Sequence, residues 1–320
     1  MGQRSLALVL CLASTVASAQ QPTSPASAQQ LASAATQPSP TAQDQDIPQL
    51  LHDVEQHEKD AEAARRDYTW HVHFELQQLD HNGNVKKTTT TDAESISIEG
   101  VRIDRTVARD GKPLTPDEAQ KECDRIDKEV ARAKSRRERL AERGEPSDSR
   151  GDPIIPVSRI LELGAFTNPR RVLLDNRPTI VLDYAGDPHA KTRNESEGII
   201  RDLVGTVWID QQDRVLVRGQ GHFLHDFKIG AGLLLNIHQG LTFDFRTAHI
   251  TGDVWLPSTV DGEGSARILL FDHIDGRFHL TTSNYRKFHT TTTIIDSNRL
   301  INPNGQPTPT NPPPSAKPQP

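Results

Sequence analysis

From Tyr68 to Gln77 apolar and polar residues alternate without a break: Tyr68, Trp70, Val72, Phe74 and Leu76 against Thr69, His71, His73, Glu75 and Gln77. Successive side chains of a strand point to opposite faces, so this segment reads as a strand with one buried face and one wetted face. Strands of that kind belong to antiparallel sheets, because parallel strands are covered on both sides. Turn chemistry at Asp80-His81-Asn82-Gly83 follows, then strands over Thr88 to Ile98 and Val101 to Ala108, ending at Asp110-Gly111. After Ile154 the pattern returns. Val172 to Leu174 and Ile180 to Ala185 flank the hairpin turn Asp175-Asn176-Arg177-Pro178. Val207 and Ile209 alternate with Trp208, and Val215 to Leu224, Leu241 to Phe245, Asp253 to Val260, Ala266 to Phe271 and Arg277 to Phe288 complete the series. These spacings predict a mainly β, α+β chain of about ten antiparallel strands, a sheet size that curls or closes rather than staying flat.

Four helical segments interrupt the strands. Ile47 to Arg65 has Pro48 in its first turn and Leu50, Leu51, Val54 and Ala61 near one face. Thr115-Pro116-Asp117-Glu118 is a capping box that opens a charged helix to about Arg143. Along it Ala119, Cys123, Ile126, Val130, Ala133 and Leu140 recur at spacings of four and three, with Arg137 interrupting. This thin heptad stripe is read first as a helix lying on the domain, and second as a partner-binding seam. Ser158 to Leu163 is a short helix stopped by Gly164, and Ser196 to Leu203 is another, with Ile199, Ile200 and Leu203 as its apolar face.

The ends have a different composition. Arg4, the apolar run Leu6 to Val16 and Ala17-Ser18-Ala19 form a signal-peptide pattern cleaved after Ala19, which predicts a periplasmic or secreted protein. Residues 20–45 are mostly Gln, Ser, Ala, Thr and Pro, with Leu31 as the one large apolar side chain, and read as a flexible linker. Residues 291–320 read as a proline-rich disordered tail with Pro312-Pro313-Pro314. The folded domain is then 46–290, with 115–143 as a helical insertion. If Cys11 leaves with the signal, Cys123 stands alone, so a disulfide and a cysteine-rich zinc site are excluded. With 37 Lys+Arg against 43 Asp+Glu there is no basic field to hold nucleic acid. No apolar run reaches the ~20 residues of a transmembrane helix.

No motif names a reaction. The thirteen histidines include His71 and His73 on one strand face, and His222 and His225 three apart, but neither pair sits in a metal-ligand frame. There is no G-x-S-x-G elbow, no Walker loop and no dinucleotide-binding glycine motif. The expectation is therefore no catalytic residue, no metal and no cofactor. The most apolar stretch of the mature chain is Gly230 to Ile237. It reads as a core strand, or as a loop in which Leu233, Leu234 and Leu235 touch a membrane or a partner.

Gly205-Thr206-Val207-Trp208-Ile209-Asp210, Leu216-Val217-Arg218, Gly230 to Leu235 with His238-Gln239-Gly240, Val254-Trp255-Leu256-Pro257-Ser258 and Asn284-Tyr285-Arg286-Lys287-Phe288 occur in this order. In that order they resemble the outer-membrane lipoprotein-sorting, LolA/LolB-like carrier superfamily, especially uncharacterised exported acidobacterial-type members. The likeness runs from about Ile47 to Phe288, and the long charged helix is extra to the standard carriers. The resemblance implies a curved antiparallel sheet forming an unclosed β-barrel with plugging helices. It also implies a non-enzymatic carrier or chaperone that binds lipid acyl chains or lipoproteins in an apolar half-barrel cavity.

No binding residue of those carriers aligns with this chain. The expected lining is chosen from the strand pattern instead: Trp70, Val72, Phe74, Leu182, Tyr184, Ile199, Leu203, Phe243 and Phe245. The alternative expectation is an envelope platform that docks a protein partner through the charged helix or the proline-rich tail.

Overall fold

The computed structural model describes residues 47–229, 235–252, 254–268 and 272–287. The signal-peptide pattern, the linker, the tail, and Leu233 and Leu234 lie outside the described residues.

Helix α1 (Ile47–Arg65) leads through a short turn into β1 (Tyr68–Leu79), β2 (Val85–Ile98), β3 (Val101–Arg109) and the two-residue β4 (Lys112–Pro113). The long α2 (Pro116–Glu142) and the short α3 (Val157–Leu163) follow. Next come β5 (Gly164–Leu174), β6 (Arg177–Gly186), α4 (Glu195–Arg201), β7 (Leu203–Asp210) and β8 (Leu216–Phe223). The chain ends with β9 (Phe227–Ile229), β10 (Leu235–Ile237), β11 (Thr242–Thr251), β12 (Val254–Ile268) and β13 (Asp272–Lys287).

All the strands join one 13-stranded sheet, in the order β4-β3-β2-β1-β13-β12-β11-β8-β7-β6-β5, with β10 pairing β12 and β9. Every pairing is antiparallel. The outer strands β4 and β5 do not meet, so the sheet is open, as the resemblance implies. The first and last long strands close against each other, with Tyr68 opposite Lys287 and Phe74 opposite Leu280.

Several boundaries differ from the sequence reading. The described residues form 13 strands rather than about ten. Of the expected strands Asp253 to Val260 and Ala266 to Phe271, the described part is one strand, β12, unbroken from Val254 to Ile268, and Asp253 and residues 269–271 lie outside the described residues. The turn-like Asp261-Gly262-Glu263-Gly264 is held straight because it pairs on both sides, with β11 and β13. Strand β5 begins at Gly164, directly after α3, rather than at Val172.

The helix expected over Ser196 to Leu203 is α4. Asn194 caps its start, its side chain accepting from the Glu197 N–H, and the helix ends at Arg201. Leu203 is already in β7, opposite Phe223. Charge and capping signals place α2 correctly: Thr115 and Glu118 form the reciprocal capping box.

The heptad stripe of α2 faces the domain. Ile126, Val130 and Ala133 pack with Val101 and Ile103 of β3. Arg137, which interrupts the stripe, donates to the carbonyls of Gly100 and Ser149. The apolar seam that a docking partner would need is therefore covered by β3. Cys123 is buried on the same stripe of α2, and burial pushes its thiol pKa up.

Candidate binding face

Residues opposite each other in an antiparallel register share a face. Two rows of paired residues therefore define the inner surface of the sheet. One runs Leu76–Phe278–Gly262–Phe243–Gly221–Gly205–Tyr184–Phe166. The next runs Phe74–Leu280–Val260–Phe245–Gly219–Val207–Leu182.

Aromatic rings alternate with glycines for a steric reason. A Cβ at Gly219 would stand 2.4 Å from Phe245 Cε1, and one at Gly262 would stand 2.2 Å from Phe278 Cζ. The glycines leave the space into which neighbouring rings lie flat on the sheet.

Helices and one short strand roof this face. Leu50 and Leu51 of α1 pack with Ile180, Leu182, Val207 and Ile209. Leu163 of α3, Ile200 of α4 and Phe227 of β9 pack with Trp70, Val72, Phe74, Tyr184, Leu203 and Phe243. The roof has its own clamp. Arg159 of α3 donates to both carboxylate oxygens of Glu197 on α4, at 3.0 and 2.8 Å, and to the Lys191 carbonyl at 2.5 Å. The hydrogen bonds from Arg159 hold the Glu197 carboxyl below its ordinary range.

Eight of the nine residues chosen from the strand pattern come together on the inner face beneath this roof, and Ile199 packs there from α4. Trp70, Val72, Phe74, Tyr184, Leu203, Phe243 and Phe245 belong to the larger apolar cluster, with Ile199 packed against it. Leu182 belongs to the smaller cluster under α1, and Phe166 and Leu216 touch both clusters. The buried side chains fill the face, from 0% exposure at Val72, Leu182 and Leu203 to 7% at Phe74. Leu235 opens β10, opposite Ile268.

Sequence reasoning missed the roof partners Leu163 and Phe227. The first closes a short helix and the second stands in a strand of three residues, so neither shows a period.

The opposite face is polar. Its rows include Gln77–Arg277–Glu263–Thr242–His222 and Glu75–His279–Asp261–Asp244–Gln220. Between them lies an open hollow of about 540 Å³. Its carboxylates already have partners: Glu263 accepts from Arg277, Asp261 pairs with His279, and Asp244 accepts from Arg218. This paired polar floor is no place for an acyl chain. His73 pairs with Asp92 on the same face. Among the described residues, no three His, Cys, Asp or Glu side chains are grouped to hold a metal ion, and no helix is long and apolar enough to cross a membrane.

No family model matches the chain, and no curated protein matches it. Solved structures do. A LolA superfamily protein from Nitrosomonas europaea matches at 11% identity over 75% of this chain and 94% of its own, with a TM-score of 0.30. A domain described as an outer-membrane lipoprotein-sorting protein, from Vibrio parahaemolyticus, matches at 12% identity over 77% of this chain and 96% of its own, with a TM-score of 0.34. A DUF1329 family protein from Desulfovibrio piger matches at 8% identity over 76% of this chain and 94% of its own, with a TM-score of 0.32. The first two carry the name of the superfamily that the sequence motifs resemble.

Proposed function

We propose that this chain is an exported, non-enzymatic carrier that takes up lipid acyl chains, free or on a lipoprotein, against the inner face of its open sheet. One observation carries the reading. Among the described residues, the two rows of apolar residues and glycines are covered chiefly by separate elements, α1, α3, α4 and β9, none of which belongs to the main strand path. Lifting the three helices of this roof exposes a curved apolar surface without breaking a ladder hydrogen bond of the sheet, while β9 stays paired with β10. A buried methylene contributes about 0.8 kcal/mol, so a sixteen-carbon chain has a gross gain of roughly 12 kcal/mol to set against opening the roof. The export pattern at the N-terminus and the order of the C-terminal motifs support the same reading.

The test is native mass spectrometry of protein purified from a bacterial periplasm, with organic extraction and uptake of a fluorescent fatty acid. A co-purifying lipid and saturable uptake are expected. A clean apo mass with no uptake would sink the carrier reading, because the inner face would then be an ordinary filled core. Leu203 is unsuitable as a blocking position, being fully buried inside β7. Ile199, half-buried on the roof helix α4, is suitable: Ile199→Asp should weaken uptake and leave the far-ultraviolet circular dichroism of the sheet unchanged.

A further inference from the structure

The inner face is not apolar throughout. At its β1–β3 end the row Trp70–Ser95–Asp104 crosses three strands. These residues are buried, at 4%, 0% and 8% exposure. Each carries a polar atom with no hydrogen-bond partner among the described residues: Trp70 Nε1, Ser95 Oγ and Asp104 Oδ1. Five buried side-chain atoms among the described residues are in this state, and three of them stand side by side in this one row. A buried polar group left unpaired costs about 1–3 kcal/mol, so three neighbours in one row mark a place built to be completed by something else.

The surroundings define what completes it. Asp104 Oδ2 accepts from Arg150 at 3.0 Å, which leaves Oδ1 as an acceptor. The Arg102 guanidinium lies 4.3 Å from the centroid of the Trp70 ring and donates to the Tyr68 carbonyl at 2.9 Å and to the Arg65 carbonyl. Asp104 is paired with Arg150, and Arg102 gives hydrogen bonds to two backbone carbonyls and its face to the Trp70 ring. What remains is one N–H donor, one hydroxyl and one carboxylate acceptor. An anion offers no proton to Asp104, and a cation offers no acceptor to the indole N–H. A neutral group that both donates and accepts satisfies the row.

We infer that the Trp70–Ser95–Asp104 row is a seat for a neutral donor–acceptor group, a hydroxyl or an amide. The group comes either from buried water or from the polar end of the amphiphile whose chain lies along Val72 and Phe74. The second source rests on the carrier reading above. It makes the protein selective for acyl chains with a neutral head, as in a monoacylglycerol or an N-acyl amide, over free fatty acids.

The experiment titrates the full chain with 1-monolauroylglycerol and with laurate by calorimetry, for wild type, Trp70→Phe and Ser95→Ala. Trp70→Phe removes the N–H together with part of the apolar ring, so its readout is the ratio of the two affinities rather than either one alone. If the seat takes the head group, the glyceride binds about fivefold or more tighter than laurate, the worth of one or two hydrogen bonds. Ser95→Ala then removes the preference while leaving laurate affinity in place, and Trp70→Phe removes the preference whatever it does to the affinity for the shared chain. Equal affinities that neither variant changes overturn the head-group source.

A crystal structure at about 1.5 Å or better separates the remaining cases. A water oxygen within about 3.2 Å of the three atoms supports the seat with water as its source. A row whose three atoms are instead found paired with protein groups overturns the inference. Failure of both amphiphiles to bind at all counts against the carrier reading alone, and the crystal structure still decides the seat.

Discussion

The ring of Phe278 lies over the backbone of Gly262 on the neighbouring strand, so close that a Cβ at Gly262 would stand 2.2 Å from Phe278 Cζ and 2.9 Å from the Thr242 carbonyl oxygen. The ring has some freedom to turn, but the carbonyl belongs to β11 and has none. Gly262→Ala is therefore expected to destabilise the domain by about 1–3 kcal/mol, the usual effect of overpacking a filled site. Phe278→Leu in the same chain should recover part of the loss and leave the part due to the β11 backbone. Urea unfolding of the two single variants and the double variant measures this. A Gly262→Ala protein as stable as wild type would show that neither the Phe278 ring nor the Thr242 carbonyl fills that site.

The same pair explains why part of the fold was hidden in the sequence. Tyr68 to Gln77 was legible because its inner residues are large and its outer residues polar. In β12 the inner positions are Gly262, beside the Phe278 ring, and Gly264, against Leu241, and the outer ones are Asp261 and Glu263. Read along the chain, Asp-Gly-Glu-Gly is turn chemistry. It is a strand only because β11 and β13 pair it from both sides and supply the rings from Phe243 and Phe278. Helix α2 was legible to its caps, because its capping box and charge pattern are local. The inner-face residues were legible as a set, whereas the division between the cluster around Leu182 and the cluster around Phe243 was not, since it depends on where α1 lands. The Trp70–Ser95–Asp104 row left no trace at all, because Ser95 and Asp104 look like ordinary polar strand residues until the register aligns them.

The stripe of α2 gives a second prediction. Ile126 is 1% exposed against β3, so Ile126→Ala should destabilise the domain by about 2–4 kcal/mol with no change in oligomeric state. Lys128 and Arg132, on the exposed side, should each tolerate Ala within about 0.5 kcal/mol. Denaturant unfolding and sedimentation check both. Loss of a dimer on Ile126→Ala, with little effect on stability, would restore the partner-binding seam.

Acid stability turns on Asp183. Its carboxylate accepts from Arg170 at 2.6 and 2.7 Å, from Asn168 and from Thr206, and these bonds, the Arg170 bond foremost, hold its pKa down to about 2 from the ordinary 3.8. A folded-state pKa below the unfolded one means stability that is full above the unfolded value and fades as pH falls towards about 2. The pair is partly exposed, so the effect is well under the full shift. Wild type should lose melting temperature between pH 4 and 2 more steeply than Asp183→Asn, and equal acid slopes would remove Asp183 as a contributor.

The last prediction concerns which part of the roof moves. Leu50 and Leu51 are the contacts of α1 with Ile180, Leu182, Val207 and Ile209, and they are 2% and 5% exposed. The far end of the helix is tied down differently. The Arg65 side chain donates to the Trp255 carbonyl at 3.1 Å, and the Arg65 carbonyl accepts from Arg102. With one end anchored by hydrogen bonds to the sheet and the other held by two leucines, charge placed at the leucines should free the helix without unfolding what it covers. Leu50→Asp is expected to raise binding of a hydrophobic dye and speed fatty-acid uptake, while the strand signal in circular dichroism stays as in wild type. Arg65→Ala should leave the leucine end seated and not speed uptake. If Leu50→Asp instead abolishes the strand signal, α1 is part of the sheet's own core rather than a cover, and the opening surface must be sought under α3 and α4, where Arg159 and Glu197 hold the roof.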